Sequence, residues 1–546
     1  MKRKTWFAVL GIGIILALSF SPGKAETPKS SKATGKSPLL KPVDPQICFG
    51  CHEQIQDLMG SGKHANRLNC VFCHSATADH MADSAKKPVT RLDLEACGGC
   101  HQEQFRTLLE VNLKSKAKLE KSTTTSRSPT FDKLLMPHGF TKEHDEPRSH
   151  VFMVTDHMIV DRAYGGRFQL KDWTYIDKTG KTWDIITDTG KDLPQTAKAA
   201  NTVCLTCKTS DHVLKWPYRG DANPNSPLKR APNPAAIEMA KNIQNPMGCI
   251  HCHDPHAAKP RVIRDALIEA VVDRGEGTYP YDQKKSQEIT LKKIMFKRDG
   301  KDFRAIGLLN KPDSNLLCAQ CHVEYNCNPG IDTKTGGATT MDDRRANYYS
   351  WVNVFDLQKR YESINFKDFK HAVTGAALTK IQHPEVETLW GSKHERAGVE
   401  CKDCHMPKVK KKGKAFTFHG QRSARYMLKD TCVRCHPSWT VEQAEYEVDG
   451  VQNYIRGKMR KAEFWLGELI NTFTRAKDLG VGEEVLKEAR SEHDRAHILW
   501  EWWTAENSDG FHNPEQARQS LAESINASQK GIEILNKAIN QKIAQK

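Results

Sequence analysis

Sixteen of the 17 cysteines form eight Cys-x-x-Cys pairs, and seven of these pairs are followed directly by histidine. Two thiols three positions apart can each bond to a haem vinyl group, and the next side chain then lies under the iron as its proximal ligand. Structural zinc and disulfides are the alternatives, but zinc sites combine two such pairs rather than ending each in histidine. The pattern therefore predicts eight covalently bound haem c groups.

The haem motifs are spread over most of the chain, and one of them ends in lysine instead of histidine. Their residues are Cys48, Cys51 and His52; Cys70, Cys73 and His74; Cys97, Cys100 and His101; Cys204, Cys207 and Lys208; Cys249, Cys252 and His253; Cys318, Cys321 and His322; Cys401, Cys404 and His405; and Cys432, Cys435 and His436. Of the 23 histidines, seven are proximal and 16 remain, which is enough for a distal ligand on each of seven haems. In a local repeat, His64 and His394 precede a haem pair by six or seven residues, so both are predicted distal ligands.

The first 25 residues have the composition of an export signal. Three basic residues precede an apolar run from Trp6 to Phe20, and Gly23 and Ala25 frame a cleavage site. We expect residues 1–25 to be a signal peptide and the mature protein to be periplasmic. An uncleaved N-terminal anchor is the alternative, because the apolar run is long for a signal.

The net charge of +16 falls to +12 when the four basic residues of the signal are removed. Such a charge is also typical of proteins that bind nucleic acid. Eight haems would add about sixteen propionate carboxylates, which need basic partners. We therefore expect no nucleic-acid partner. Only 38% of the chain is hydrophobic, so porphyrin is expected to fill much of the interior.

The motifs divide the chain into a three-haem and a five-haem part. We predict an N-terminal three-haem domain with its linker at 26–130, a five-haem catalytic domain at 131–440, and its helical C-terminal part at 441–546. Helical periodicity near 441–478, 482–507 and 513–543 predicts long C-terminal helices. The expected fold class is a mainly α, loop-rich multihaem cytochrome c with a haem-filled core. Trp500, Trp502 and Trp503 are expected to pack in that core, and the basic run 408–414 is expected to be solvated.

Lys208 distinguishes one motif from the other seven. An amine must be deprotonated to bind iron, against an intrinsic pKa of about 10.4. A haem with so costly a ligand is expected to keep its sixth position open for substrate, as catalytic metal sites do. A decayed motif or a Cys-x-x-Cys pair without haem is the alternative.

Several segments, together with the lysine motif, resemble the ammonia-forming cytochrome c nitrite reductases. The lysine motif is CLTCK, and the other segments are EPRSHVFMVTD, CAQCHVEY, KIQHPEVET and CKDCHMPKV, in the order that the family has. Residues from about 135 to 530 resemble the pentahaem enzymes, and the three additional N-terminal haems make the whole chain similar to the octahaem nitrite reductases.

The resemblance implies roles for particular residues. Arg148, Tyr325 and His383 would line the distal pocket over the Lys208-ligated iron. Calcium would be bound by the Glu324 carboxylate, the Tyr325 and Lys380 carbonyls and the Gln382 side-chain oxygen. The implied distal ligands are His138 for the haem of His322, His419 for that of His253, His512 for that of His405 and His394 for that of His436.

The sequence departs from the pentahaem pattern at His371, in a histidine-rich insert, and at Cys327. In octahaem relatives a cysteine two positions after the catalytic tyrosine forms a thioether with it. A buried free thiol and an intermolecular disulfide are the alternatives for Cys327.

The resemblance implies a six-electron reduction of nitrite to ammonia, with hydroxylamine and sulfite as further substrates. The other readings are an octahaem hydroxylamine- or hydrazine-oxidising enzyme, which would use histidine in every motif, and a non-catalytic electron-transfer cytochrome. The expected partners are nitrite, a periplasmic or membrane quinol-linked electron donor and further copies of the chain in a homo-oligomer.

Overall fold

The computed structural model describes residues 42–60, 62–65, 67–110, 130–136, 149–154, 202–220, 236–326 and 329–545. The predicted signal peptide, most of the linker, His138, Arg148 and Cys327 lie outside these ranges. Within them, no helix is both long and apolar enough to cross a membrane.

Short helices separated by loops form most of the chain before residue 440. The α-helices are Pro45–Phe49, Glu53–Gly60, Cys70–Cys73, Thr77–Ala82, Leu94–Gly98, Gln102–Leu108, Phe131–Leu134, Thr202–Thr206, His212–Lys215, Ala236–Lys241, Asp265–Ile268, Gln283–Glu288, Ser314–Cys318, Leu357–Ser363, Glu385–Leu389, Lys393–Arg396, Cys401–His405 and Cys432–Cys435. The 3-10 turns are His150–Phe152, Cys249–His251, Arg344–Asn347 and Ala424–Tyr426, and Glu269–Asp273 is a π-helical turn. Several haem motifs lie on such a single helical turn, where residues three apart share one face.

Three long helices complete the chain: α1 (Val441–Asp478), α2 (Glu483–Ala505) and α3 (Pro514–Ala544). Their boundaries follow local capping signals. Thr440 accepts a hydrogen bond from the Gln443 amide at the start of α1, and Asn513 caps α3 with Pro514 in its first turn. Between α1 and α2, Gly480 adopts a positive φ of 69°, which a side chain would strain. The predicted long C-terminal helices are thus confirmed.

The helices pack through apolar side chains and through small residues at close approaches. The tryptophans Trp500, Trp502 and Trp503 are fully buried in the main core cluster, which confirms their predicted packing role. Gly531 of α3 lies against Leu469 of α1, so near that a Cβ atom at position 531 would lie 2.8 Å from Leu469 Cδ1. The helical bundle packs beside the loops that carry the haem motifs.

A β-sheet is the main departure from the predicted mainly α, loop-rich architecture. Four antiparallel strands lie in the order β1-β2-β4-β3: β1 (His253–Asp254), β2 (Lys259–Val262), β3 (Leu291–Arg298) and β4 (Lys301–Leu309). Two-stranded pairs join His74–Ser75 with Val89–Thr90, Ile331–Asp332 with Phe366–Lys367, Phe369–Lys370 with Ala377–Leu378, and Lys408–Lys411 with Lys414–Thr417. The last pair contains the basic run, whose lysines are exposed as predicted. The protein remains mainly α and loop-rich, as its sequence predicts.

Candidate haem cavity and active site

One continuous cavity of about 3470 Å³ runs through the part of the chain that carries the motifs. Its lining includes the side chain that follows each of the eight cysteine pairs: His52, His74, His101, Lys208, His253, His322, His405 and His436. A space of this extent, lined by all the predicted proximal ligands, is what a connected set of haem groups requires. The described residues therefore fit haem c.

Pairs of histidine rings face this cavity at the spacing of two ligands on one iron. With a metal–nitrogen bond of about 2.0 Å, two imidazoles on opposite sides of a metal have ring centroids about 6 Å apart. The centroid distances are 6.1 Å for His52 and His80, 6.3 Å for His64 and His101, 6.3 Å for His74 and His256, and 6.2 Å for His405 and His512. His419 interacts with His253, and His394 with His436.

His322 has two histidines at this spacing. The ring of His150 lies 6.4 Å from it and that of His383 lies 6.1 Å from it. His138, the residue that the resemblance assigns to this position, lies outside the described residues. His150 was missed at the sequence level although it stands in the same EPRSHVF segment as Arg148. His80 and His256 were missed as well, because neither has a fixed spacing from a haem motif.

Cysteines of different motifs meet and join the motifs into one branched series. Side-chain contacts link Cys48 to Cys70, Cys97 to Cys249, Cys207 to Cys321, and Cys318 to Cys401. Electrostatic interactions link Cys73 to Cys97, Cys252 to Cys318, and Cys404 to both Cys432 and Cys435. The motif of Cys318 and Cys321 is the branch point, since it meets three others, including the lysine motif.

Four of the residues expected at the catalytic haem line the same cavity as His322: Lys208, Tyr325, Gln382 and His383. The ring of His383 lies 6.1 Å from that of His322, and His383 also interacts electrostatically with Lys208. Tyr325 is buried and its backbone forms a β-bridge with Tyr349. Arg148 and Cys327 are not among the described residues, so their predicted places in the pocket stay predictions.

His383 is a neutral imidazole at pH 7. Burial lowers its pKa to about 4, and the nearby charges of His322, Lys208 and Lys380 act in the same direction, while Glu385 opposes them. The charge interaction with Lys208 places His383 close to the lysine motif. A neutral ring in this position keeps one N–H, which can donate a hydrogen bond to an anionic oxygen.

A buried carboxylate, Glu385, stands between the two neighbouring histidines. Its Oε2 atom lies 3.2 Å from Nδ1 of His322, and its Oε1 atom accepts a 2.6 Å hydrogen bond from the Asn507 side chain. Nδ1 of His383 is 4.0 Å from the same Oε1 atom. Burial would raise the pKa of Glu385, but the hydrogen bond and charge of His322 and the charges of His383 and His512 outweigh it, so the pKa is lowered. Glu385 was not singled out in the sequence.

The predicted calcium ligands lie in a buried acidic region next to the pocket. Glu324 is fully buried. Its Oε1 accepts a hydrogen bond from the Tyr361 hydroxyl at 2.8 Å, and its Oε2 accepts one from the backbone amide of Gln382 at 2.7 Å. Glu387 accepts from the Glu324 backbone amide at 3.0 Å. The pKa of Glu324 is raised, first by burial and then by the charges of Asp368 and Glu387. A cation would relieve this concentration of buried carboxyl groups, so the residues fit calcium.

The architecture and the motifs together define a multihaem c-type cytochrome. The cytochrome c552 family matches residues 110–546, most of the chain, and the chain therefore belongs to that family. The match begins after the first three haem motifs. The expected relationship to the cytochrome c nitrite reductases is thereby confirmed, while the total of eight haems stays a prediction.

Individual relatives agree with this assignment. The chain is 25% identical over 412 residues to cytochrome c-552 of Bacteroides fragilis, with 74% of this chain and 68% of the relative covered. It is 25% identical over 492 residues to the cytochrome c nitrite reductase subunit NrfA of Nitratidesulfovibrio vulgaris, covering 86% and 81%. The solved cytochrome c nitrite reductase of Desulfovibrio desulfuricans, described as having two calcium sites, superposes with a TM-score of 0.57 at 20% identity, over 83% of this chain and 88% of that one. The overall fold is thus shared.

Proposed function

We propose that this chain is a periplasmic multihaem oxidoreductase that reduces nitrite to ammonia with six electrons at the haem bound by Cys204, Cys207 and Lys208. The observation that carries the proposal is that Lys208, Tyr325 and His383 line one cavity, in which the ring of His383 lies 6.1 Å from that of His322 and interacts with the charge of Lys208. Hydroxylamine and sulfite are proposed as further substrates. Haem c supplies the iron that binds the substrate and delivers electrons to it.

The protein side chains supply charge and protons. Arg148 would hold the anionic substrate with its planar guanidinium, which suits the two oxygens of nitrite better than a point charge does. His383, neutral at pH 7, would donate a hydrogen bond through its remaining N–H to an oxygen of the substrate, and Tyr325 would provide a hydroxyl donor. Removal of each oxygen as water consumes protons, so two adjacent donors suit the reaction.

The branched series of motifs supports the supply of electrons. With one haem per motif, electrons from the other seven haems would reach the haem of the lysine motif through the motif of Cys318 and Cys321, which adjoins it. Two ends of the series, at Cys51 and at Cys435, are exposed at the surface and are candidate entry points for a periplasmic or membrane quinol-linked donor. Several electrons can therefore be stored near one substrate, so partly reduced nitrogen oxides need not leave.

The distal ligands follow from the ring pairs. We assign His80, His256 and His64 to the haems of His52, His74 and His101, and His419, His512 and His394 to those of His253, His405 and His436. For the haem of His322, His150 is supported by its 6.4 Å spacing and His138 by the family resemblance alone. The electron paramagnetic resonance spectrum of a His150→Ala variant decides between them. Loss of a true distal ligand converts one low-spin haem to high spin.

Calcium and self-association complete the proposal. Calcium would be held by Glu324, the Tyr325 and Lys380 carbonyls and Gln382, and it would fix the tyrosine and His383 segments together. Helix α1 exposes Tyr446, Tyr454 and Phe464, by 74%, 50% and 58%, which supports a homo-oligomer with α1 in the contact. Light scattering at several concentrations tests this.

The decisive experiment is turnover of nitrite by the holoprotein with a reduced viologen as electron donor. We expect ammonium in a one-to-one ratio with the nitrite consumed, and a high-spin ferric signal from one haem in the resting protein. Absence of both would favour the electron-transfer reading. Oxidation of hydroxylamine or hydrazine without nitrite reduction would favour the octahaem oxidoreductase reading.

A further inference from the structure

Glu385 contacts histidines with two different tasks. His322 is the proximal residue of the motif at the branch point, and its Nδ1 lies 3.2 Å from Glu385 Oε2. That distance leaves Nε2 of His322 free to bind iron. A carboxylate that receives the second ring proton of a ligating histidine orients the ring and increases its electron donation. Glu385 therefore has the geometry of an outer partner of this axial ligand.

The other oxygen of Glu385 reaches the substrate side through Asn507. A carboxylate only accepts hydrogen bonds, so the Asn507 atom 2.6 Å from Oε1 is the amide nitrogen. The same nitrogen lies 3.4 Å from Nδ1 of His383. It acts there as a donor, so Nδ1 is the acceptor and the ring proton of His383 resides on Nε2. The proton is then on the nitrogen that is turned away from Glu385 and Asn507.

The backbone holds this arrangement in place. Glu385 begins the helix Glu385–Leu389, and the amide of Val386 donates to the carbonyl of His322 at 3.1 Å. The amide of Asn507 also donates to Glu385 at 3.3 Å, so the carboxylate is bound from both segments. The carboxylate is thus fixed relative to both histidines, rather than being one partner of a solvated ion pair.

We propose that Glu385 is a positioning residue that links electron supply to proton supply: it tunes the axial histidine His322 of the haem next to the catalytic one and, through Asn507, sets the tautomer of His383. The second half rests on the proposed function, whereas the first half does not. Loss of the negative charge beside His322 would stabilise reduced iron, so the midpoint potential of that haem would rise.

The test uses holoprotein variants and potentiometric titration followed by electron paramagnetic resonance. Glu385→Gln should shift the potential of one low-spin haem upward, change its g values and lower kcat about ten- to hundredfold with a smaller effect on KM. Glu385→Asp, which keeps the charge, should restore most of the potential. Asn507→Ala should lower kcat but shift the potential less than Glu385→Gln does, because it removes the connection to His383 and one hydrogen bond to Glu385 while the carboxylate charge remains.

Glu463→Gln is the matched control, since Glu463 is also a buried carboxylate but pairs with Arg460 in α1. It should leave all potentials unchanged. Potentials of Glu385→Gln identical to those of the wild type would overturn the proposal. A potential shift in a protein that does not reduce nitrite would refute the proposed function alone. If Glu385→Gln fails to incorporate haem, the two halves are tested separately. Unchanged g values in Glu385→Asp, whose shorter side chain moves the carboxylate relative to His322, overturn the first half, and wild-type kcat in Asn507→Ala overturns the second.

Discussion

The Sγ atom of Cys321 lies 3.9 Å from the carbonyl oxygen of Cys207, across 114 positions of sequence. The two thiols also contact each other. This contact places the lysine motif beside the branch point of the series, so the odd residue Lys208 stands at the end of a short side branch. A haem at the end of a branch has no further motif on one of its sides. That side is therefore suited to binding substrate.

The first prediction concerns Lys208. Lys208→His should retain full haem content but lose most nitrite turnover, by about tenfold or more, because imidazole replaces the amine ligand. Haem is measured by the pyridine haemochrome spectrum and turnover by ammonium release. Lys241→His, at an exposed lysine, is the control and should keep wild-type activity. Full activity of Lys208→His would remove the reason for placing catalysis at this motif.

Calcium binding is expected to stabilise the pocket. Dialysis against a calcium chelator should lower Tm, and added Ca²⁺ but not Mg²⁺ should restore it, because a site built of protein carboxylate, carbonyl and amide oxygens suits the larger ion, whereas Mg²⁺ keeps several of its waters. A ligand at about 100 times its Kd contributes about 2.7 kcal/mol to the free energy of unfolding. Glu324→Gln should abolish the response to chelator. A chelator-sensitive Glu324→Gln variant would show that calcium is bound elsewhere.

Trp502 connects the helical bundle to the His383 segment. Its Nε1 donates a 2.7 Å hydrogen bond to Thr388 Oγ1 inside the core. Trp502→Phe should cost about 1–3 kcal/mol of the free energy of unfolding, from the lost hydrogen bond and the space left behind. Chemical denaturation measures this. Ile543→Val, near the exposed end of α3, should change stability by about 0.5 kcal/mol or less. Equal effects of the two variants would contradict the structural role of Trp502.

The cross-link between Tyr325 and Cys327 is the last prediction. Two residues apart in extended backbone, their side chains share one side of the chain, and the β-bridge of Tyr325 with Tyr349 indicates such a backbone at Tyr325. Peptide mapping of the holoprotein should show positions 325 and 327 joined, with a loss of about two hydrogens as the thiol and a ring C–H give one C–S bond. Cys327→Ser provides the unlinked reference. Ready alkylation of Cys327 under denaturing conditions would disprove the cross-link.

Structural features that depend on neighbouring residues in the sequence could be predicted, whereas features that depend on contacts between distant residues could not. The boundaries of α1, α2 and α3 follow from Thr440, Gly480 and Asn513, each of which acts on its own turn. The hairpin of β3 and β4 was missed although Asp299 and Gly300 both have positive φ, as an Asp-Gly turn predicts. Its strands carry too many charges to show a clear alternation.

The same distinction applies to the candidate site. The motif residues, Tyr325 and His383 could be proposed because they stand in recognisable segments. The role of Glu385 could not, because it depends on His322 and Asn507 approaching from other parts of the chain. Before the fold brings these segments together, nothing in the segment HPEVE distinguishes this carboxylate from any other.

The segment at residues 254–256 ties the first part of the chain to the second. His256 pairs with His74, and the carbonyl of Pro255 lies 2.9 Å from Nδ1 of His64. Under the proposed export from the N-terminus, Cys70 and Cys73 would arrive long before residue 256. The haem attached there would then stay open on one side to oxidants and foreign ligands until the later half arrives, so maturation would have an order in time that the order of the motifs along the sequence does not reveal.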